Sequence, residues 1–315
     1  MHPAASIIVF TTLTGAGYGL LFWLGLFGAL ELLPADPVFA AASLLLAFVA
    51  VSGGLVSSAF HLGRPERAWR AFSQWRSSWL SREGVASLAT YMPAAFFAWG
   101  WVVRGTTGGA WAAASLLTAA AAATTVVCTA YIYRSLKPIA HWSNGWVPAN
   151  FLALAAMTGA LWLAALLAAF GLPAARALWL GIGLIVVAAL VKLLYWRHID
   201  RSPGDVTAER ATGLGAIGRV RLFEAPHTQE NFLLKEMGFA IARKHRDKLR
   251  RIALHLGFVI PLLLTLIALA TGGGTHIAAA VAAAPLATLG VLLERWLFFA
   301  EAKHTVTLYY GAARA

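Results

Sequence analysis

Charge is what this sequence is short of. Only 12% of its 315 residues are Asp, Glu, Lys or Arg, against 60% apolar; soluble domains carry about 25% charged residues. That deficit excludes a water-soluble fold, and the apolar excess excludes disordered and collagen-like chains. Cysteine is scarcer still. Cys128 is the single thiol, which excludes a disulfide scaffold and leaves too few thiolates for a zinc site or an iron–sulfur cluster. Acids are also few, 13 against 25 Lys and Arg, for a formal charge of +12. In a soluble protein that surplus would suggest nucleic acid, so its distribution along the chain decides its meaning. No basic stretch precedes the first apolar run, and the run is too long for a cleavable signal, so residue 1 is expected in the mature chain.

Long uncharged runs are what the sequence has instead. About 20 apolar residues cross a hydrocarbon core as a helix. Residues 5–30 and 38–60 make two spans, parted by Pro34 and Pro37; further spans are expected at 85–103, 110–133, 149–170 and 177–196. The uncharged stretch from Ile252 to Leu293 is too long for one helix, and TGGGTH at 271–276 divides it into 252–270 and 277–293. The sequence therefore predicts an all-α, polytopic membrane protein: a single integral-membrane domain over 1–315 with an eight-helix bundle. Lys192, near the end of span six, is expected to reach the headgroups, and no acid or base is expected mid-membrane. Of the 25 Lys and Arg, 23 fall on one side of this topology, leaving Arg104 and Arg176 on the other. The positive-inside rule then makes both termini and the loops 61–84 and 197–251 cytoplasmic, in a cell's inner (cytoplasmic) membrane. Topology accounts for the charge, so nucleic acid is not required. Within the long loop, residues 230–251 read as a partly amphipathic helix with Leu233, Met237, Ala240 and Ile241 on one face. RKHRDKLRR at 243–251 reads as a collar for lipid headgroups, and 213–232 as a docking surface for another protein.

Polar groups at the edge of the hydrocarbon carry the functional argument. HLGRPERAWRAFSQWRSSWLSRE, residues 61–83, joins spans two and three. Trp69, Phe72, Trp75 and Trp79 recur in it at helical spacing, as in an interfacial helix with aromatic anchors. His61 and Glu83 each end an apolar span, and antiparallel packing would let both face one pocket. An imidazole and a half-buried carboxyl can exchange the two protons of a quinol. The plainer alternative is a capping histidine and a surface pair between Glu83 and Arg82 or Arg64. Arg64, Trp79, Ser81 and Arg82 are further candidates for shaping the pocket, with Tyr91 two turns deeper. Haem b between histidines is the rival use of the nine His, but His61, His141, His198, His255 and His276 all lie at or near span ends, so no haem and no metal are expected. A small-solute transporter is the other alternative, marked by Pro93, Pro261, Pro285 and GAGYG at 15–19; close helix packing is the simpler account of those glycines.

Residues 61–83, YIYRSLKPIAHW at 131–142, FEAPHTQENFLLKEMGF at 223–239 and LERWLFFAEAKHTVTLYYG at 293–311 together resemble the membrane-anchor subunit family of dimethyl sulfoxide reductase, which includes the anchor of membrane-bound cytoplasmic sulfite dehydrogenases. The resemblance covers essentially the whole chain. It implies eight helices without haem, an iron–sulfur subunit and a molybdopterin catalytic subunit as partners on the cytoplasmic face, and exchange of electrons with menaquinone or ubiquinone. The family's quinol-site histidine and glutamate fall on His61 and Glu83. The 213–251 loop tilts the resemblance toward the sulfite dehydrogenase type, in which electrons pass to quinone.

Overall fold

The computed structural model describes residues 5–60, 62, 64–201, 206–224 and 245–310. Eight helices are long and apolar enough to cross a membrane, and no strand occurs among the described residues. They are α1 (Ala5–Ala29), α2 (Pro37–Ala59), α3 (Trp79–Val103), α4 (Ala110–Arg134), α5 (Trp146–Ala169), α6 (Ala175–Arg201), α7 (Arg246–Ala270) and α8 (Gly273–Ala300). A backbone in hydrocarbon must satisfy its own hydrogen bonds, which is why apolar runs of this length become uninterrupted helices. Local sequence fixes several ends. Asp36 caps α2 by accepting from the amides of Val38 and Phe39 at 2.8 and 3.0 Å, with Pro37 in the first turn.

Several helices run past the bounds expected from charge. α3 starts at Trp79 rather than 85, α7 at Arg246 rather than 252, and α8 continues from 293 to Ala300. The reason is that one charged residue at each of these ends, Glu83, Arg250 and Glu294 respectively, is partnered within the bundle, so charge does not stop the helix. The basic run 243–251 is accordingly only partly a collar: Arg246, Lys248 and Arg251 are exposed, whereas Arg250 is buried. The expected amphipathic face at Leu233, Met237, Ala240 and Ile241 lies outside the described residues.

α1 and α5 are the most enclosed spans. α1 packs on α2, α4 and α5; α3 packs on α4; α5 packs on α6 and α8; and α7 packs on α8. Small residues let backbones approach where no hydrophobic force draws helices together. A Cβ on Gly19 would lie 1.8 Å from the Ala155 carbonyl oxygen, and one on Gly159 would lie 2.0 Å from the Gly19 carbonyl carbon. Gly17 meets α2 at Ala47 and Val51 in the same way. GAGYG is therefore a packing motif for two neighbours of α1. A second close approach joins Gly257 to Gly290, where α7 widens into a π-turn, His255–Val259, just before Pro261. A proline cannot continue the i to i−4 ladder, and the π-turn absorbs the register change.

The segment between α2 and α3 forms a 3-10 helix, Pro65–Gln74. Of its aromatics, Trp69 and Trp75 are exposed, while Phe72 packs against Gly84 of α3. The α2–α3 approach is concentrated away from this segment, at the Trp99–Val103 π-turn, and deeper where Phe48 stacks on Tyr91 at 5.6 Å.

The Gly19–Gly159 crossing yields a prediction. Gly19→Ala should destabilise the purified protein by about 1–3 kcal/mol or more, the usual cost of overpacking, read as a lower thermal midpoint in detergent. Gly15→Ala, where nothing lies within 4 Å of the added Cβ, should leave the midpoint unchanged.

Candidate functional site

Ser78 starts α3 as an N-cap, its hydroxyl accepting from the Ser81 amide at 3.5 Å. That start sets the register in which Ser81, Glu83 and Ser87 turn inward. Glu83 is only 5% exposed. Its carboxylate accepts a hydrogen bond from the Thr129 hydroxyl of α4, and the same hydroxyl can turn to the Thr125 carbonyl, 3.1 Å away. Glu83 thus faces α4, and the alternative of a surface pair with Arg82 or Arg64 does not form. Around it lie Tyr18 of α1, Cys128 and Tyr133 of α4, and Ser87. The Tyr18 hydroxyl is buried and turned toward those of Ser87 and Thr125. Thr90 and Thr125 approach to 3.3 Å between their hydroxyl oxygens. The result is a polar wedge between α1, α3 and α4.

The other expected residues divide into those that close the wedge and those that lie apart. Arg82 donates from Nε to the Trp75 carbonyl at 3.0 Å and from Nη2 to the Arg76 carbonyl at 2.7 Å, and its guanidinium stacks over Trp79 at 4.3 Å. Trp79 packs on Tyr131 at 4.5 Å, whose hydroxyl accepts from Arg134 at 2.7 Å. This stack closes the end of α3 and α4 one turn before Glu83, so Arg82 and Trp79 hold the end of the 3-10 segment on α3. Ser81 is buried beside them. Tyr91 bonds Ser52 of α2 at 2.7 Å through its hydroxyl, pinning α2 to α3. Arg64 is exposed at the start of the 3-10 helix. His61 lies outside the described residues.

A second group of buried charges was not expected from the sequence. Lys192, read as a headgroup-reaching lysine, is 1% exposed and donates to Glu294 of α8, itself 1% exposed. Arg295, 2% exposed, sits 3.4 Å from the other oxygen of Glu294 and lies over the Phe151 ring at 3.7 Å. Nearer the end of the bundle, Arg250 joins α6, α7 and the end of α8. It donates to both carboxylate oxygens of Glu301 at 2.8 Å and to those of Asp200 at 2.7 and 3.1 Å. Bidentate charge-assisted pairs of this kind are the strong ones. Counting spans only until the first charge conceals these residues. The visible signal was spacing: Glu294 and Glu301 lie two turns apart on one face of a continuing helix.

His141, between α4 and α5, places its Nδ1 3.1 Å from the Glu301 carbonyl; because a carbonyl can only accept, Nδ1 carries the hydrogen. Burial pushes this imidazole down to about 4, with the Glu301 hydrogen bond opposing the shift. The Tyr195 hydroxyl donates to the His141 carbonyl at 3.2 Å, and the Trp142 indole donates to the Phe298 carbonyl at 3.0 Å. The 135–145 loop is thereby fastened to the end of α8 beside the Arg250 cluster.

A profile of the DMSO reductase anchor subunit (DmsC) family matches residues 1–300. The chain belongs to that family. It is also 34% identical, over 328 aligned positions, to a subunit of the sulfite dehydrogenase of Allochromatium vinosum, covering 98% of this chain and 99% of that relative. As a multi-pass anchor subunit it associates with the catalytic subunits of an oxidoreductase complex. An anchor has no need of buried charge to stay in the bilayer, so the Glu83 wedge and the Lys192–Glu294–Arg295 triad call for an account beyond anchoring.

Removing one partner of a buried pair leaves an uncompensated charge, costing about 3–5 kcal/mol. Glu294→Ala should show that loss in thermal unfolding, since it strands Lys192 and Arg295 together. Lys192→Met should lose less, because Arg295 still neutralises Glu294. For His141, the sign follows from its depressed value: an unfolded histidine titrates near ~6.5, so the unfolded chain binds the extra proton first. Stability should be full above that pH and fall as pH drops toward about 4. Thermal midpoints against pH should show this slope in the native chain and lose it in His141→Gln.

Proposed function

We propose that this anchor subunit exchanges electrons and protons with membrane quinone, menaquinone or ubiquinone, on behalf of a partner iron–sulfur subunit and a molybdopterin catalytic subunit. The observation that carries the reading is Glu83: a carboxyl inside a membrane helix, held by Thr129 and enclosed at its open end by the Arg82–Trp79–Tyr131 stack. A buried carboxyl in a span is costly and marks a proton or substrate path. Reducing a quinone requires two protons at its ring oxygens, and a carboxyl that alternates between bound and free proton meets one of them. His61, which follows the C-cap of α2 at Phe60, is the proposed donor of the other. Thr129 suits this alternation, because its single hydroxyl hydrogen can point to Glu83 when the carboxyl is ionised and to the Thr125 carbonyl when it is not.

The basic face, with the loops between α2 and α3 and between α6 and α7, is the proposed cytoplasmic docking side in the inner membrane. There Ile217 and Phe223 stand exposed among Arg219 and Arg221, a mixture suited to a protein surface more than to lipid. The sulfite dehydrogenase name of the relative supports a flow of electrons from the catalytic subunit to quinone.

Glu83→Gln and His61→Gln should each lower quinone-linked turnover of the membrane complex by about a hundredfold or more, the scale of general acid–base catalysis. Reduction of an artificial dye by the catalytic subunit should continue at its native rate. Native quinone coupling in both variants would refute the assignment.

A further inference from the structure

A small chamber lined almost entirely by buried residues lies between α1, α4, α5 and α8, and its walls include Thr12, Thr14, Tyr18, Thr129, Thr158 and Arg295. Its space of about 10 Å3 is that of roughly one water. Most of the wall surface is apolar, but half of the lining residues are polar or charged, whereas cavities that stay empty are apolar. Thr14 gives its hydrogen to the Phe10 carbonyl at 2.6 Å and Thr158 to the Leu154 carbonyl at 2.8 Å. Both hydroxyl oxygens are left with lone pairs to offer. Opposite them, Nη1 of Arg295 is buried with no hydrogen-bond partner, Nε has only its ion-pair contact with Glu294 at 3.4 Å, and the Thr12 hydroxyl is also unpartnered. Buried donors of a cation left unsatisfied are expensive. One water that accepts from Arg295 and donates to threonine oxygens would satisfy both walls.

The chamber also touches both buried charge groups. Its α4 wall is Thr129, which bonds Glu83. Its α8 wall is Arg295, 3.4 Å from the Glu294 oxygen that lacks a hydrogen-bond partner, and Lys192 holds the other oxygen of that carboxylate. Lys192, Glu294 and Arg295 together carry one surplus positive charge, and an ionised Glu83 carries one negative charge. Moving a single proton from Lys192 to Glu83 removes both buried surpluses.

We propose that the chamber is a one-water proton passage, and that the Lys192–Glu294 pair held by Arg295 is the store from which Glu83 is reprotonated. The inference rests on the quinone-reactive reading of Glu83. A proton leaves Lys192 Nζ and is carried by the Glu294 carboxyl. The water takes it up while passing one of its own hydrogens to Thr129 Oγ1, and Thr129 gives its hydrogen to Glu83. The ammonium becomes an amine, the Glu83 carboxylate becomes an acid, and no electrons move. Refilling comes from the surface side, where Glu301 and the 36%-exposed Asp200 follow one another along Arg250. Arg295, always charged, is a positioning residue: it holds the water and carries no proton.

The test is made in the assembled membrane complex with Lys192→Met, which leaves Glu294 neutralised by Arg295, and Thr12→Val, which keeps wall shape but removes the hydroxyl. Both variants should slow quinone-linked turnover by at least about tenfold and enlarge its solvent deuterium isotope effect, with dye-linked activity unchanged. Native turnover and isotope effect in both, with turnover lost in Glu83→Gln, would overturn the passage and leave the quinone reading standing. Native turnover in Glu83→Gln would remove the reading beneath it. Should Lys192→Met fail to assemble, a density map of the native complex decides: an ordered water against Arg295 and the threonines supports the passage, and a dry chamber overturns it.

Discussion

The bundle depends on α1 lying against α5 at backbone contact, where Gly19 and Gly159 leave no room for a side chain on either helix. In lipid no hydrophobic force drives one helix onto another, so close approach of small residues supplies the packing. That crossing places α1 among α2, α4 and α5. It also determines which α1 residues meet the polar interior: Tyr18 points toward Glu83 and Ser87, and Thr12 and Thr14 face Arg295 across the chamber. A wider crossing would open these groups to lipid. The placement of the polar interior around α1 therefore follows from two glycines.

Once polar groups are inside, each needs a partner, and the helices supply most of them. Threonine hydroxyls throughout α1, α4 and α5 bond the carbonyl one turn back, as Thr14, Thr118 and Thr158 do. The charges pair across helices: Glu83 with a hydroxyl of α4, Lys192 with Glu294, and Arg250 with two carboxylates. Of the groups left over, those of Thr12, Tyr18 and Arg295 border the same chamber, and those of Ser43, Ser87, Asn150 and Glu294 lie outside its walls. A purely structural interior would have no reason to leave a guanidinium half satisfied.

The architecture was legible in the sequence because uncharged runs of helix-spanning length admit few other folds. Glu83 was legible too, as a carboxyl at the margin of an apolar run. Its bond to Thr129 was not, because α3 lies along α4 and a threonine inside an apolar span carries no signal in the sequence. Lys192 was misread, and Glu294 and Arg295 were left outside span eight, for one physical reason. Hydropathy treats a charge as the end of a span, whereas two opposite charges on facing helices cancel and allow both helices to continue. Only the three-dimensional pairing distinguishes the two cases. Likewise Arg250 looked like one basic residue among many until Asp200 and Glu301 were seen to grip it.

Family membership makes the chain an oxidoreductase anchor; the buried carboxyl is what the proposed proton exchange rests on. The most direct measurement is infrared difference spectroscopy of the intact complex as added quinone is reduced. The account predicts a carbonyl band of a protonated, buried carboxyl that changes on reduction and is absent from Glu83→Gln. The same band, unaltered in that variant, would contradict a proton exchanged at Glu83.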